Sequence, residues 1–562
     1  MSRTCALRRN RRERRLRRGL ALTLTVLVFL SAHGAYAAPP DPRFGAVEAF
    51  FAPEASDEAG VAWERVLFYW REIQPQRDVW RDDYFPPEIL QRELSAGREI
   101  VGLLINPPGW ANSNRGDRGA PDNLYLPPDH PDNHWGQFVF RIVSQYKGVI
   151  HHWILWNEPD VWDTSHFGHT WEGTLEEFAQ LTRVGYLAAK RADPECVVHL
   201  AGLTYWWDVE YGRRPYLERL LEVLAKDPAA DRNHFYFDVA SLHIYFKPRT
   251  IPLIVEHTRA AMRRYGLDKP IWVDETNAPP RDDPQHPIEH PRFPVTLSEQ
   301  RNYLVQAFAL SLAAGAERVA VYKMSDRPSI EPWEEPFGLV RMDGSTRPAY
   351  DTLRQINTLF AGTRAAAWDD RDNYAAVVLD QGDKTTTVLW NWTSESVSAR
   401  VVASAQSGVL FAIDSSSAAI ESAGGVYRIG LPPAECGATR CDIGGSPMIL
   451  VEQAPVSMRG RLLPATPTPL PTPSHTCSPT ATAEPSATPT VTRIHTPSAT
   501  STAPPVEAER PTFTPAATAT ATATAIVADS DPERRPWVWA AGGGLVLLAL
   551  LAVVARRRTG RT

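Results

Sequence analysis

Cysteine is scarce in this chain: five in 562 residues, at positions 5, 196, 436, 441 and 477. No Cys/His spacing has the form of a zinc site, which removes the commonest metal-bound readings. No Gly-x-Gly-x-x-Gly follows the first apolar run, so a dinucleotide-binding domain has no support. Positive charge is also short where it would matter. The formal net charge of −6 includes +8 from residues 1–37 and +4 from the last four arginines, so the remainder carries −18. A surface that acidic argues against nucleic acid and anionic membranes as partners. Long apolar runs are confined to the two ends.

Those ends read as targeting segments. Nine arginines crowd residues 1–18, the apolar run Gly19–Leu30 follows, and Ala35-Tyr36-Ala37 offers a small-x-small cleavage site. This is the pattern of a secretory signal peptide, residues 1–37. Near the other end, Trp537–Ala555 is 19 uncharged residues, followed by Arg556, Arg557 and Arg558. That length spans a bilayer as a helix, with the arginines on the cytoplasmic side. The expectation is a single-pass membrane anchor at 536–556, a basic cytoplasmic tail at 557–562, and an extracellular bulk. Residues 456–535 are rich in Pro, Thr, Ala and Ser. Such a composition buries no core and reads as an extended stalk; its densest part, about residues 464–525, could reach roughly 190 Å at about 3.1 Å per residue.

Between signal and stalk, two textures succeed one another. Over residues 38–362, eight short apolar runs alternate with stretches of helical period. The runs are Phe44–Phe50, Val61–Tyr69, Ile100–Ile105, Ile150–Trp156, Val197–Leu203, Phe235–Tyr245, Pro270–Asp274 and Arg318–Tyr322. Eight such alternations fit a (β/α)8 TIM barrel better than an open doubly wound sheet. Residues 363–455 change to short β-type runs split by turn residues, read as a small antiparallel β-sandwich. There Trp390 and Trp392 are read as core, with sugar binding as the alternative; Asn391-Trp392-Thr393 matches a glycosylation acceptor. Cys436 and Cys441 stand close enough to close a small disulfide loop, which an exported location permits.

Two strings carry chemistry: Trp156-Asn157-Glu158-Pro159 and Val273-Asp274-Glu275-Thr276. Each sets a glutamate at the end of a buried run, the fourth and the seventh, where a barrel of this kind builds its active site. Two carboxyls facing one cleft are what glycoside hydrolysis needs. Strand alternation turns Asp274 outward to the helices and Glu275 into the barrel mouth. Asn157 is placed to bond a sugar 2-hydroxyl.

With these residues in view, the chain resembles the clan of retaining glycoside hydrolases that includes cellulases, β-galactosidases, β-xylosidases and α-L-iduronidases. Asn157-Glu158-Pro159 after the fourth run and Glu275 ending the seventh carry the resemblance. Arg65 matches the clan's second-strand arginine, and His243 with Tyr245 its sixth-strand His-x-Tyr. Phe337-Gly338-Leu339-Val340 and Arg347-Pro348-Ala349-Tyr350 agree with the segment after the eighth strand. The resemblance implies Glu158 as general acid/base, Glu275 as nucleophile, Arg65 and Tyr245 holding the nucleophile, and His243 touching substrate or Glu158. It implies an oligo- or polysaccharide substrate and no metal or organic cofactor.

Other residues at strand ends join the candidate substrate site. Trp110, Trp162, Trp206 and Trp207 offer faces for sugar stacking, with packing as the competing role for each. Lys323 follows the eighth run and could meet an acidic or hydroxylated substrate. His151 and His152 begin the fourth run and belong to the opposite, stabilising end of the barrel. The function class that competes with the enzyme is a non-catalytic carbohydrate-binding or adhesive surface protein on the same barrel.

Overall fold

The computed structural model describes residues 39–456, except 167, 289–292, 327–335 and 437–440. The signal, stalk, span and tail expected at 1–37, 456–535, 536–556 and 557–562 lie outside the described residues, Val456 apart. Among the described residues no helix is long and apolar enough to cross a membrane.

Eight parallel strands form one sheet: β1 (Phe44–Val47), β2 (Trp63–Tyr69), β3 (Glu99–Ile105), β4 (His152–Asn157), β5 (Val197–Gly202), β6 (Ala240–His243), β7 (Ile271–Thr276) and β8 (Arg318–Val321). Their order is β5-β4-β3-β2-β1-β8-β7-β6. The two end strands meet through parallel bridges His199–Val239 and Leu203–Leu242, which close the sheet into a barrel. Each apolar run of the sequence holds one strand. The sixth is the exception in extent, because Asp231–Tyr236 forms a 3-10 turn with positive φ at His234 and Phe235, and the strand begins only at Ala240.

Helices follow the strands and cover the barrel: α1 (Pro53–Glu58), α2 (Pro87–Ser95), α3 (His134–Gln145), α4 (Leu175–Ala192), α5 (Tyr216–Leu224), α6 (Ile251–Arg263), α7 (Leu297–Ala313) and α8 (Pro348–Leu359). Both α4 and α7 start with a capping box, Thr174 with Glu177 and Thr296 with Glu299, each satisfying two otherwise orphaned N–H groups. Large indoles fill the barrel at positions vacated by glycine. A Cβ on Gly45 would lie 2.3 Å from Trp63, its partner on β2, and one on Gly102 would lie 2.4 Å from Trp153 on β4. At the lower end of the barrel, His152 bonds His199 at 2.8 Å and both rings pack on Trp272.

From Ala365 onward the chain is antiparallel: β9 (Ala365–Asp370), β10 (Tyr374–Asp380), β11 (Thr385–Asn391), β12 (Val397–Val402), β13 (Ser407–Phe411), β14 (Ser417–Glu421), β15 (Val426–Leu431) and β16 (Met448–Glu452). Six of them pair in the order β14-β13-β16-β11-β10-β9 and face the pair β12-β15 across a second core that includes Leu389, Tyr427 and Leu450. This β-sandwich packs on α7, which explains why that helix is buried nearly all round. Gln306 of α7 bonds both the carbonyl and the N–H of Gly444 at 3.0 Å, and Arg301 donates to the carbonyl of Ile413 at 2.7 Å. Trp390 and Trp392 are fully buried, so they are core and present no face to a sugar. Asn391 is buried as well, its amide donating to the carbonyl of Glu395, which withholds it from a glycan. Cys436 and Cys441 form a disulfide.

Candidate active site

The mouth of the barrel is built from backbone that ordinary side chains seldom tolerate. Glu48, Asn106, Glu158, Tyr205 and Phe246, each within three residues of the end of β1, β3, β4, β5 or β6, have positive φ, and so does Trp156 inside β4. Left-handed conformations at non-glycine residues cost about 1–3 kcal/mol each and persist only where the surrounding fold holds them. Their concentration at one end marks where the chain redirects its side chains.

Five of the sequence-derived residues converge there. The Arg65 guanidinium on β2 pairs with Glu275 Oε1 on β7, and the Tyr245 hydroxyl donates to Glu275 Oε2. His243, which ends β6, has Nδ1 2.7 Å from Glu158 Oε1 and 3.4 Å from Glu275 Oε2. One donor atom each from Glu158, His243 and Glu275 falls within 4.8 Å of the others. These three could in principle hold a cation, but Arg65 already brings a positive charge to Glu275, which opposes one. Glu158 is the more open of the two glutamates, with 14% of its side chain exposed against 5% for Glu275.

Burial and charge set the proton affinities. Burial raises the Glu158 carboxyl above the ordinary glutamate range, helped by the Glu275 charge and opposed by His243 and Arg65. Burial alone would depress the His243 imidazole, but Glu275 and Asp274, with a bond to Glu158, push it up to about 10. Tyr245 is raised well above its usual value, first by burial and then by the Glu275 charge, so its phenol stays a donor.

Asp274 departs from the expectation of strict alternation. Its side chain is fully buried and lies 3.7 Å from His243 Nε2, on the side of the barrel where Arg65 also stands. The cause is a register shift: β7 is irregular against β6 between Leu242 and His243, and against β8 between Val273 and Thr276. Such a bulge inserts backbone without a cross-strand partner and re-aims consecutive side chains. Asp274 and Glu275 therefore both face His243.

The remaining candidates have separate placements. Asn157 ends β4, and its Oδ1 accepts no hydrogen bond from a described residue. Lys323 is 8% exposed, with Nζ 3.6 Å from Glu48 Oε2, so a neighbouring carboxylate offsets its charge. Trp110 packs edge-on to Trp70 and donates its indole N–H to the Gln74 carbonyl at 3.0 Å, as a packing residue does. Trp206 packs against Tyr205, with Lys247 Nζ 5.7 Å from its ring. Trp162 and Trp207 meet at right angles beside the exposed Tyr211. His152 sits at the amino-terminal end of β4 beside Glu99.

Two contributors escaped sequence reasoning. A Cβ on Gly202, at the end of β5, would lie 2.1 Å from His243 Nε2, so glycine makes room for the imidazole. Asp160 bonds the backbone N–H and hydroxyl of Thr204 at 2.8 Å, tying the loop after β4 to the one after β5. Its place two residues beyond Glu158 was the available signal.

Comparison with known proteins bears on the fold. No protein-family model and no curated protein sequence matches the chain. Among solved structures, a family 39 glycoside hydrolase from Bacteroides cellulosilyticus WH2 superposes with a TM-score of 0.55 at 14% identity, over 74% of this chain and 81% of that one. A family 30 subfamily 8 xylanase from Clostridium acetobutylicum matches at TM-score 0.49 and 14% identity, over 74% and 98%. A monomeric β-xylosidase from Caulobacter crescentus CB15 matches at 0.47 and 14%, over 75% and 98%. The first of these carries the assignment: the fold is the (β/α)8 barrel found in glycoside hydrolases.

Proposed function

We propose that this chain is a retaining glycoside hydrolase cleaving O-glycosidic bonds by double displacement, with Glu158 as acid/base and Glu275 as nucleophile. The single observation that carries the reading is the Glu158–Glu275 pair, with an oxygen of each inside the same 4.8 Å cluster. Retaining enzymes hold their carboxyls about 5–5.5 Å apart, whereas inverting ones leave about 6.5–9.5 Å for a water.

The roles follow from the surroundings. Glu275, paired with Arg65 and bonded by Tyr245, is the carboxylate that attacks the anomeric carbon. Glu158, whose proton burial retains, gives it to the departing oxygen as the glycosidic bond breaks. Water then attacks the glycosyl ester, loses a proton to Glu158 and frees the Glu275 carboxylate. Asn157 bonds the 2-hydroxyl of the sugar in the cleft, and His243 orients Glu158. The sugar-stacking faces are those of Trp206 and the Trp162–Trp207 corner. The substrate is an oligo- or polysaccharide, a reading supported by the fold shared with a family 39 glycoside hydrolase. On the sequence of its two ends, the enzyme is exported and tethered by one span, acting outside the cell.

Mass spectrometry after incubation with 2-fluoro glycosides tests the chemistry: a covalent adduct on Glu275 is expected. No adduct and no turnover across a panel of aryl glycosides, with sugar binding retained, would make the barrel a carbohydrate-binding protein. Protease shaving of intact cells tests the placement, with release of the folded domain as the expected result.

A further inference from the structure

The glycosidase reading uses two carboxylates, yet the site contains a third. Asp274 is fully buried, and neither of its oxygens accepts a hydrogen bond from any described residue. A buried carboxylate in that condition needs a cation or a proton. Two cations are near. Arg65 is committed to Glu275, and the remaining one is His243, whose Nε2 lies 3.7 Å from Asp274 Oδ1.

Charged groups face the imidazole from β2, β4 and β7. Nδ1 faces Glu158 from β4 and Glu275 from β7. Nε2 faces Asp274 from β7 and Arg65 Nη1, 3.4 Å away, from β2. On the β5 side the ring lies against Gly202. Arg65 would favour a neutral Nε2 that accepts its N–H, and Asp274 favours a protonated one. The register shift of β7, which delivers Asp274 to this side, sets that carboxylate beside Nε2.

We propose, on top of the glycosidase reading, that Asp274 is a positioning residue: the charge partner that keeps His243 an imidazolium, so that its Nδ1–H is held as the donor to Glu158 Oε1. The count then closes. Arg65 balances Glu275, His243 balances Asp274, and Glu158 stays a neutral acid donating to the leaving group. Without Asp274, Nε2 loses its counter-charge and a neutral imidazole accepts the Arg65 N–H there.

The test is nitrogen NMR on the 15N-histidine-labelled full chain, with the His243 signals assigned by their loss in His243→Gln. In the wild type both ring nitrogens of His243 carry protons at pH 7. In Asp274→Asn the titration midpoint of the ring falls by roughly one to three pH units, the effect of removing an opposite charge at this range. A neutral His243 in the wild type at pH 7, or an unmoved midpoint in Asp274→Asn, overturns the proposal. The wild-type measurement stands even where the variant fails to fold. Turnover is a separate readout. A chain that cleaves no glycoside yet holds an imidazolium ends the glycosidase reading and leaves the pairing intact, and active enzyme with neutral His243 does the reverse.

Discussion

Arg65 and Glu275 form a buried ion pair from β2 to β7, with side chains 2% and 5% exposed. A pair so enclosed is worth little as net stability, because desolvation offsets the attraction, but breaking it leaves an uncompensated charge. Its value lies in holding one carboxylate immobile at the mouth of the barrel.

Removing Arg65 should therefore damage both function and fold. Arg65→Met is expected to lower stability by about 3–5 kcal/mol, the cost of a stranded buried charge, and to abolish measurable kcat/KM. Thermal unfolding and aryl glycoside kinetics check it. Unchanged stability would mean the pair is not formed in solution.

The acid/base should reveal itself through the leaving group. In the proposed mechanism Glu158 works protonated, and burial raises its carboxyl above the ordinary value of 4.5. Activity should therefore fall as pH rises through that raised value. Glu158→Gln should remove this alkaline limb. It should slow poor leaving groups by about 10²–10⁴-fold, the usual contribution of a positioned acid, and slow dinitrophenyl glycosides of the same sugar far less. Added azide should restore turnover of the activated substrate.

Gly202 allows a steric test. The Cβ of Gly202→Ala would fall 2.1 Å from His243 Nε2, so the imidazole must move. Overpacking of this kind costs about 1–3 kcal/mol. Activity should drop by at least about tenfold, on the scale by which 1.4 kcal/mol is a factor of ten, while circular dichroism stays native. Full activity in this variant would show that the position of His243 is unimportant.

Acid should weaken the barrel from its lower end. Burial depresses His152 to about 4, opposed by Glu99 and aided by Arg318, and it depresses His199 further. The unfolded chain binds a proton at His152 near 6.5, the folded one only near 4. The stabilisation is thus complete above 6.5 and lost as pH falls from 6.5 toward 4, by up to about 3 kcal/mol at 1.36 kcal/mol per pH unit. Replacing His152 by Asn should flatten the fall of Tm over that window. An identical slope in both proteins would contradict this account.

How far the sequence carries the argument differs from place to place. The β-strands of the barrel were legible because parallel strands buried on both faces make continuous apolar runs, as in Ile100–Ile105. The sandwich was less legible, since strands such as β13 and β14 are short and largely exposed. Glu158 and Glu275 stood out because each ends such a run. Trp110 did too, but its ring goes to packing against Trp70, a choice made by neighbours distant in the chain.

The residue types of the site, their strand ends, and the eightfold alternation that brings those ends to one rim were determined by the amino-acid order alone. Hydrophobic period and strand length are local properties, and local properties survive in a linear string. The tertiary structure decided which atoms meet: that Asp274 shares the side of Glu275, that Gly202 yields to His243, and that Lys323 has Glu48 beside it. Those outcomes depend on register shifts and close approaches between strands far apart in the chain, which only the closed barrel brings within reach of one another.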